Sequence, residues 1–369
     1  MSKLHTLRHE YGQSIWLDYI DRSLLVRGGL KVLVNDGVRG VTSNPTIFNK
    51  AINASADYDD AIRDLIRADH GIDDETLYQW LSIQDVQMAA DILKHVYDSS
   101  EGTDGFVSLE VSPHLAYDTD ATIEAGRHLW HKVNRPNLMI KVPATVQGLG
   151  AIEALISENI NVNATLLFSV ERYKQVTEAF LRGLASNPEP QNVASVASFF
   201  VSRVDAWVDA ALDEIGSPKA RSLQGRIAIA NVIMAYTYFK EMMRAPSFEA
   251  LRQRGAKPQR PLWASTGTKN PEYSDVLYVE QLIGPETINT VTPETLDAFQ
   301  AHGELRATLD VDIEGAQRAL EALSELGIDL QQITEELEQD GVKQFAASHD
   351  QLIESLQQRR YTVAAAYAG

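Results

Sequence analysis

Short β-type runs, alternating or continuously apolar, recur along the chain with longer amphipathic stretches between them. The runs fall at 14–20 (SIWLDYI), 37–43 (GVRGVTS), 106–112 (FVSLEVS), 138–144 (LMIKVPA), 160–168 (INVNATLLF), 194–200 (ASVASFF), 261–266 (PLWAST) and 287–292 (TINTVT). The segments TDATIEAGRHLWHKV, GLGAIEALISE, VERYKQVTEAFLRGLA and IANVIMAYTYFKEMM keep apolar residues near the 3.6-residue period of a helix. Strands alternating with helices predict βα units and a parallel sheet. Eight such strands close a (β/α)8, or TIM, barrel of the α/β class.

Two stretches exceed that frame. Residues 50–105 are too long for one loop and helix, and DYDDAIRDLIRAD and SIQDVQMAADILKHVYDSS predict inserted helices on the barrel exterior. Residues 310–360 are helical, rich in Glu, Gln and Leu, with no strand after them. Because no Pro/Gly/Ser-rich linker precedes them, they read as extra C-terminal helices closing one barrel domain over residues 1–369.

Composition narrows the function. The chain has 369 residues, 44% hydrophobic, with 51 acidic against 33 basic side chains and a formal charge of −18. It carries no electrostatic footprint for nucleic acid or an anionic membrane, so any phosphate site must be made locally positive. Cysteine is absent, which excludes thiol nucleophiles, disulfides and Cys-ligated zinc. The amino terminus lacks the apolar core of a signal peptide and no run reaches about 18 apolar residues, so a cytoplasmic location without membrane attachment is expected.

Barrel strands are normally filled with Val, Ile and Leu, and active sites lie at the strands' C-terminal ends. Polar residues there are therefore informative. In the fifth run, Asn161, Asn163 and Thr165 share one face; in the third, Ser108, Glu110 and Ser112 do. Asp18 lies between Leu17 and Tyr19, and the second run ends in VTSNPT with Thr42 and the pre-proline Asn44. Lys141 stands in NLMIKVPAT, among Leu138, Met139, Ile140, Val142 and Pro143. Taken singly, a strand Asn is usually a satisfied core residue, a strand Glu is as often a structural ion pair as a functional group, and a strand Lys is a side chain reaching for water along an apolar stem.

Together they suit carbonyl chemistry through a Schiff base. They make a poor metal site, because only His114 of the nine histidines lies just after a strand. A lysine amine adds to a ketone to form an iminium, which draws in electrons when the neighbouring carbon–carbon bond breaks. The amine must be neutral: at a pKa of about 10.4 only about 0.04% is neutral at pH 7, and at about 8 the share is about 10%. Burial moves a lysine in that direction, and the apolar flanks of Lys141 are expected to supply it. Ser198 and Arg203 in SFFVSR, and Lys269 in ASTGTKNPEYSD, place hydroxyls and cations in late loops, where barrels often bind phosphate.

The segments GVTSNPTIF, SLEVSPHLAYDTDATIEAGRHLW, LMIKVPATVQGLGAIEAL, INVNATLLFSVERYKQV, ASFFVSRVDAWVD and GIDLQQITEELEQDGVKQFAASHDQLIESL resemble the transaldolase family, in order over about residues 14–350. The resemblance implies a barrel enzyme of the non-oxidative pentose phosphate pathway. It would move a dihydroxyacetone unit from sedoheptulose 7-phosphate or fructose 6-phosphate to glyceraldehyde 3-phosphate or erythrose 4-phosphate, with neither metal nor organic cofactor. Its partners would be sugar phosphates, and it would act as a monomer or a homodimer.

By the same resemblance, Lys141 matches the Schiff-base lysine, Asp18 the acid/base for the sugar hydroxyl, and Glu110 a carboxylate working through a water that Thr165 holds. Asn44 and Asn163 match contacts to the three-carbon unit, with Thr42 beside them. Ser198 and Arg203 match substrate and phosphate contacts. Where many transaldolases carry SFRN after the seventh strand this chain has STGTKN, which makes Lys269 the candidate second phosphate cation. The chain resembles the longer bacterial subfamily. The nearest alternative is a fructose-6-phosphate aldolase of the same superfamily, which releases free dihydroxyacetone. Glu110 and Phe200 stand where that aldolase would carry a glutamine and a tyrosine, which favours transfer.

Overall fold

A computed structural model describes residues 2–367. Eight parallel strands, β1 (Ser14–Leu17), β2 (Val38–Val41), β3 (Phe106–Glu110), β4 (Leu138–Pro143), β5 (Val162–Leu167), β6 (Ser195–Phe200), β7 (Gln259–Ala264) and β8 (Ile288–Val291), close in sequence order into a barrel. Each overlaps a run expected from the sequence. The main difference is at β1 and β2, which end at Leu17 and Val41 and leave Asp18 and Thr42 just beyond. Single bonds hold these two to neighbouring strands, Asp18 N–H to Val291 O at 2.7 Å and Thr42 N–H to Leu17 O at 2.8 Å.

The barrel is built in layers, because alternate residues of each strand face inward. At the N-terminal end the buried Asp104 carboxylate takes hydrogen bonds from Ser14 Oγ (2.8 Å), Trp16 Nε1 (3.1 Å) and Arg260 Nη1 (3.1 Å), with Arg8 Nε 3.3 Å away. One carboxylate thus closes the barrel floor. Above it lies Trp16, and Gly40 of β2 makes room for its indole, since a Cβ on that glycine would stand 2.4 Å from the ring. Two residues further along most strands the interior turns polar, β7 with Ala264 being an exception.

The helices expected from periodicity are present at Thr119–Val133, Val146–Ser157, Val170–Ser186 and Ile227–Arg244. The stretch 50–105 departs from a simple exterior insertion. The helix Asp74–Ser99 packs on β2 and β3, taking the place of the crossover helix between them. The helix Pro45–Ala54 begins at the mouth of the barrel, where the Asn44 side chain caps it by accepting from Ile47 N–H at 3.0 Å. The C-terminal helix Leu330–Tyr367 packs against that helix, against Ser202–Ile215 and against the end of β5. Gly341 permits the close approach: a Cβ there would meet a Leu166 methyl at 3.1 Å. Among the described residues, no helix is long and apolar enough to cross a membrane.

Candidate active site

Lys141 and Glu110 are direct neighbours across β3 and β4, and Asn163 is the direct neighbour of Lys141 on β5. Register therefore puts all three in one layer of the interior. Lys141 Nζ lies 3.1 Å from Glu110 Oε2 and donates to the backbone carbonyl of Ser43 at 3.1 Å, with the Phe345 ring centroid 5.5 Å away. At 5% exposure the side chain does not reach for water. Its sequence flanks do not surround the amine. Strand alternation turns Ile140 outward, onto the helix Thr119–Val133, where its methyl would stand 3.5 Å from a Cβ on Gly126. The amine instead meets a carboxylate, a carbonyl and an aromatic face. The apolar surroundings expected for it are thus only partly present, in Phe345.

Burial pushes the Glu110 carboxyl above its usual range, opposed by Lys141, with Asp18 adding a smaller upward push. Asp18 is likewise pushed up by burial and held down by Lys141 and by Thr42. Thr42 Oγ1 donates to Asp18 Oδ1 at 2.6 Å and pairs with Thr290 Oγ1 at 2.7 Å, which fixes the carboxylate at the barrel rim. One ammonium thus faces two carboxylates whose burial makes them readier than usual to hold a proton.

Across the interior, Asn163 Nδ2 donates to Ser108 Oγ at 3.0 Å, and Ser198 Oγ donates to Asn163 Oδ1 at 2.6 Å. Asn161 is different. Its amide bonds the carbonyls of Pro136 and Leu138 and its oxygen accepts from Ala194 N–H, so it ties strand ends together below the site. Leu166 follows Thr165 with φ +61°, a left-handed residue at a register shift between β5 and β6. The Thr165 hydroxyl is buried without a hydrogen-bond partner, and so is Glu110 Oε1. Such orphaned atoms call for a partner the folded chain does not supply.

A cavity of about 320 Å³ opens at the C-terminal ends of the strands, and its wall includes Lys141, Asp18, Thr165, Thr42, Asn44, Ser198, Arg203 and Lys269. Glu110 and Asn163 lie behind that wall, in contact with its residues Lys141 and Ser198. The mouth is cationic. Burial holds the Arg203 guanidinium and the Lys269 ammonium below their usual ranges, and for Lys269 the neighbouring Arg203 and Lys50 add to the effect. Arg203 Nη1 is buried without a partner, while its guanidinium stacks 5.6 Å from the Phe200 ring centroid. Three cations crowding one opening favour an anion there.

Sequence reasoning missed Lys50, Phe345, Thr290 and the Ser43 carbonyl. Lys50 follows the SNPT turn by four residues on a helix, and helical spacing from Thr46 would have brought it to the same rim. Phe345 carried no local signal, since only tertiary packing brings the C-terminal helix over the barrel.

Fold and cavity together define an α/β barrel of the enzyme type, with its candidate site at the C-terminal mouth. Residues 15–356 match the model of the family described as Transaldolase/Fructose-6-phosphate aldolase. A curated transaldolase from Parafrankia sp. (strain EAN1pec) is 46% identical over 94% of this chain and 95% of its own length. One from Acidothermus cellulolyticus is 48% identical over 92% of each chain, and one from Thiobacillus denitrificans 46% identical over 93% of this chain and 96% of its own. The chain belongs to the transaldolase/fructose-6-phosphate aldolase family.

Proposed function

We propose that this chain is a transaldolase working through a Schiff base on Lys141, passing a dihydroxyacetone unit between sugar phosphates. The observation that carries the reading is the buried Lys141–Glu110 pair at 3.1 Å, opening onto a cavity rimmed by Lys50, Arg203 and Lys269. Relatives at 43% to 48% identity named transaldolase support it.

The ammonium of Lys141 passes a proton to Glu110, which burial has made receptive, and the free amine adds to the ketose carbonyl carbon. Loss of the carbonyl oxygen as water leaves an iminium. Asp18 takes the proton of the hydroxyl on the β carbon, and the bond between the α and β carbons breaks. Its electron pair moves into the iminium to give an enamine, and the aldose phosphate departs. An acceptor aldehyde then adds to the enamine carbon, Asp18 returns the proton, and hydrolysis frees the lysine. Glu110 Oε1 and Thr165 Oγ1, both unpartnered, suit a water shared beside the iminium. Asn44, its oxygen committed to capping a helix, keeps its amide hydrogens for the three-carbon unit. Ser198 holds Asn163 in place beneath it, and Arg203 with Lys269 takes the phosphate.

A fructose-6-phosphate aldolase would use the same lysine and release free dihydroxyacetone. Turnover of fructose 6-phosphate with and without an aldose phosphate acceptor separates the two. The transaldolase reading requires acceptor-dependent turnover, and an equal rate without acceptor overturns it.

A further inference from the structure

We propose that His114, His349 and Asp350 form a site for a divalent transition metal of the zinc class, which staples the C-terminal helix to the turn after β3. His114 sits in the short turn Pro113–Leu115, and its Nε2 lies 2.7 Å from Asp350 Oδ1. The potential ligand atoms of the three residues all lie within 4.8 Å of one another. Two imidazoles and a carboxylate form a donor set that zinc prefers and that magnesium or calcium does not.

A second observation points the same way. His349 is 4% exposed, and neither of its ring nitrogens makes a hydrogen bond. Its Nε2 lies 3.2 Å from Glu75 Oε1, at the edge of the cluster. Nε2 has that carboxylate within ion-pair distance, but Nδ1 is buried with no hydrogen bond, and metal coordination would remove the cost of leaving it so. The ring is held ready by edge contacts from Tyr78 (5.6 Å between centroids, 81°) and His114 (5.5 Å, 83°). Tetrahedral zinc at about 2.0 to 2.1 Å from each ligand sets ligand atoms about 3.3 Å apart, so the widest pair closes by at most about 1.5 Å while the His114–Asp350 pair opens slightly from 2.7 Å. His114 and Asp350 are exposed and can rotate inward to do so.

The consequence lies in what the helix carries. Phe345 is one helical turn before His349 and lies over the Lys141 amine, while His114 follows Glu110 by four residues. A metal here fastens the aromatic cover of the lysine to the strand that bears its carboxylate. It takes no part in bond making.

The test is titration of chelator-treated full-length protein with Zn²⁺ by calorimetry, together with the thermal midpoint. One Zn²⁺ per chain, a raised midpoint and no binding of Mg²⁺ are expected. H114A and D350A each remove a ligand and should weaken Zn²⁺ binding by at least the roughly tenfold to hundredfold lost when only a ligand's supporting group is removed. Both change exposed side chains and should fold normally, whereas His349 is left intact because it is buried. A control, H128A/H131A, alters exposed histidines elsewhere and should leave binding unchanged. Absence of saturable Zn²⁺ binding, equal binding by the H114A/D350A double variant, or an equal loss in the control overturns the proposal.

Discussion

Lys141 Nζ and Glu110 Oε2 lie 3.1 Å apart on adjacent strands in direct register, both buried. A buried ion pair contributes little to stability, because desolvation offsets most of the attraction, so its purpose is better sought in proton transfer. Glu110→Gln keeps the shape and removes the acceptor. Steady-state kinetics on fructose 6-phosphate should show turnover lowered by about 10² to 10⁴, the range for losing general acid–base help, with KM changed far less. A loss below tenfold assigns the proton elsewhere.

The proposed role of Asp18 predicts the acid side of the pH profile. In the proposed mechanism it takes the sugar hydroxyl proton and must be ionised, and burial raises its pKa above the ordinary value. Activity should therefore fall, as pH is lowered, sooner than for an exposed aspartate. The Thr42 hydrogen bond opposes the rise, so Thr42→Val should move the acid limb to higher pH while Asp18→Asn removes turnover and limb together. An unmoved limb in Thr42→Val shows that another group controls it.

The mouth should divide binding from chemistry. Arg203→Ala or Lys269→Ala removes a charged contact worth about 1.5 to 3 kcal/mol, which corresponds to a rise in KM for sugar phosphates of about tenfold to a hundredfold. Dihydroxyacetone-donor substrates lacking a phosphate should show little change in either variant. If the unphosphorylated substrates suffer equally, these cations hold the fold and not the phosphate.

Away from the site, Asp205 is buried between Ala228 N–H (2.7 Å) and the Tyr278 hydroxyl (2.9 Å). Burial pushes its carboxyl up to about 7, against 3.8 for the free side chain. The folded state thus favours the protonated form: its contribution is fully present below about 4 and is lost as pH rises through about 7. The loss is on the order of 4 kcal/mol at about 1.36 kcal/mol per pH unit. Asp205→Asn stays neutral, so the wild type should lose stability relative to it from pH 4 to 8 in denaturant titrations. Parallel curves would place the ionised Asp205 in a better-solvated setting.

Much of this was legible in the chain because barrel strands carry a strong local signal. The two-residue period marked the rows Ser108–Glu110 and Asn163–Thr165, and the interior faces follow them. Asn161 belonged to the same row yet serves the barrel floor, since a row fixes the face and not the depth. The flanks of Lys141 misled for the related reason that neighbours in sequence point to the opposite side of a strand. Phe345 and the Asp104 cluster were invisible because their partners lie far away in sequence, brought together only by closure of the barrel and passage of the last helix over its mouth.

Whether Lys141 forms the covalent intermediate is settled by borohydride reduction in the presence of fructose 6-phosphate, followed by peptide mass mapping. The Schiff-base mechanism predicts a stable three-carbon adduct on the peptide bearing Lys141, absent in Lys141→Ala along with turnover. Failure to trap any adduct on Lys141, or full activity in Lys141→Ala, contradicts it.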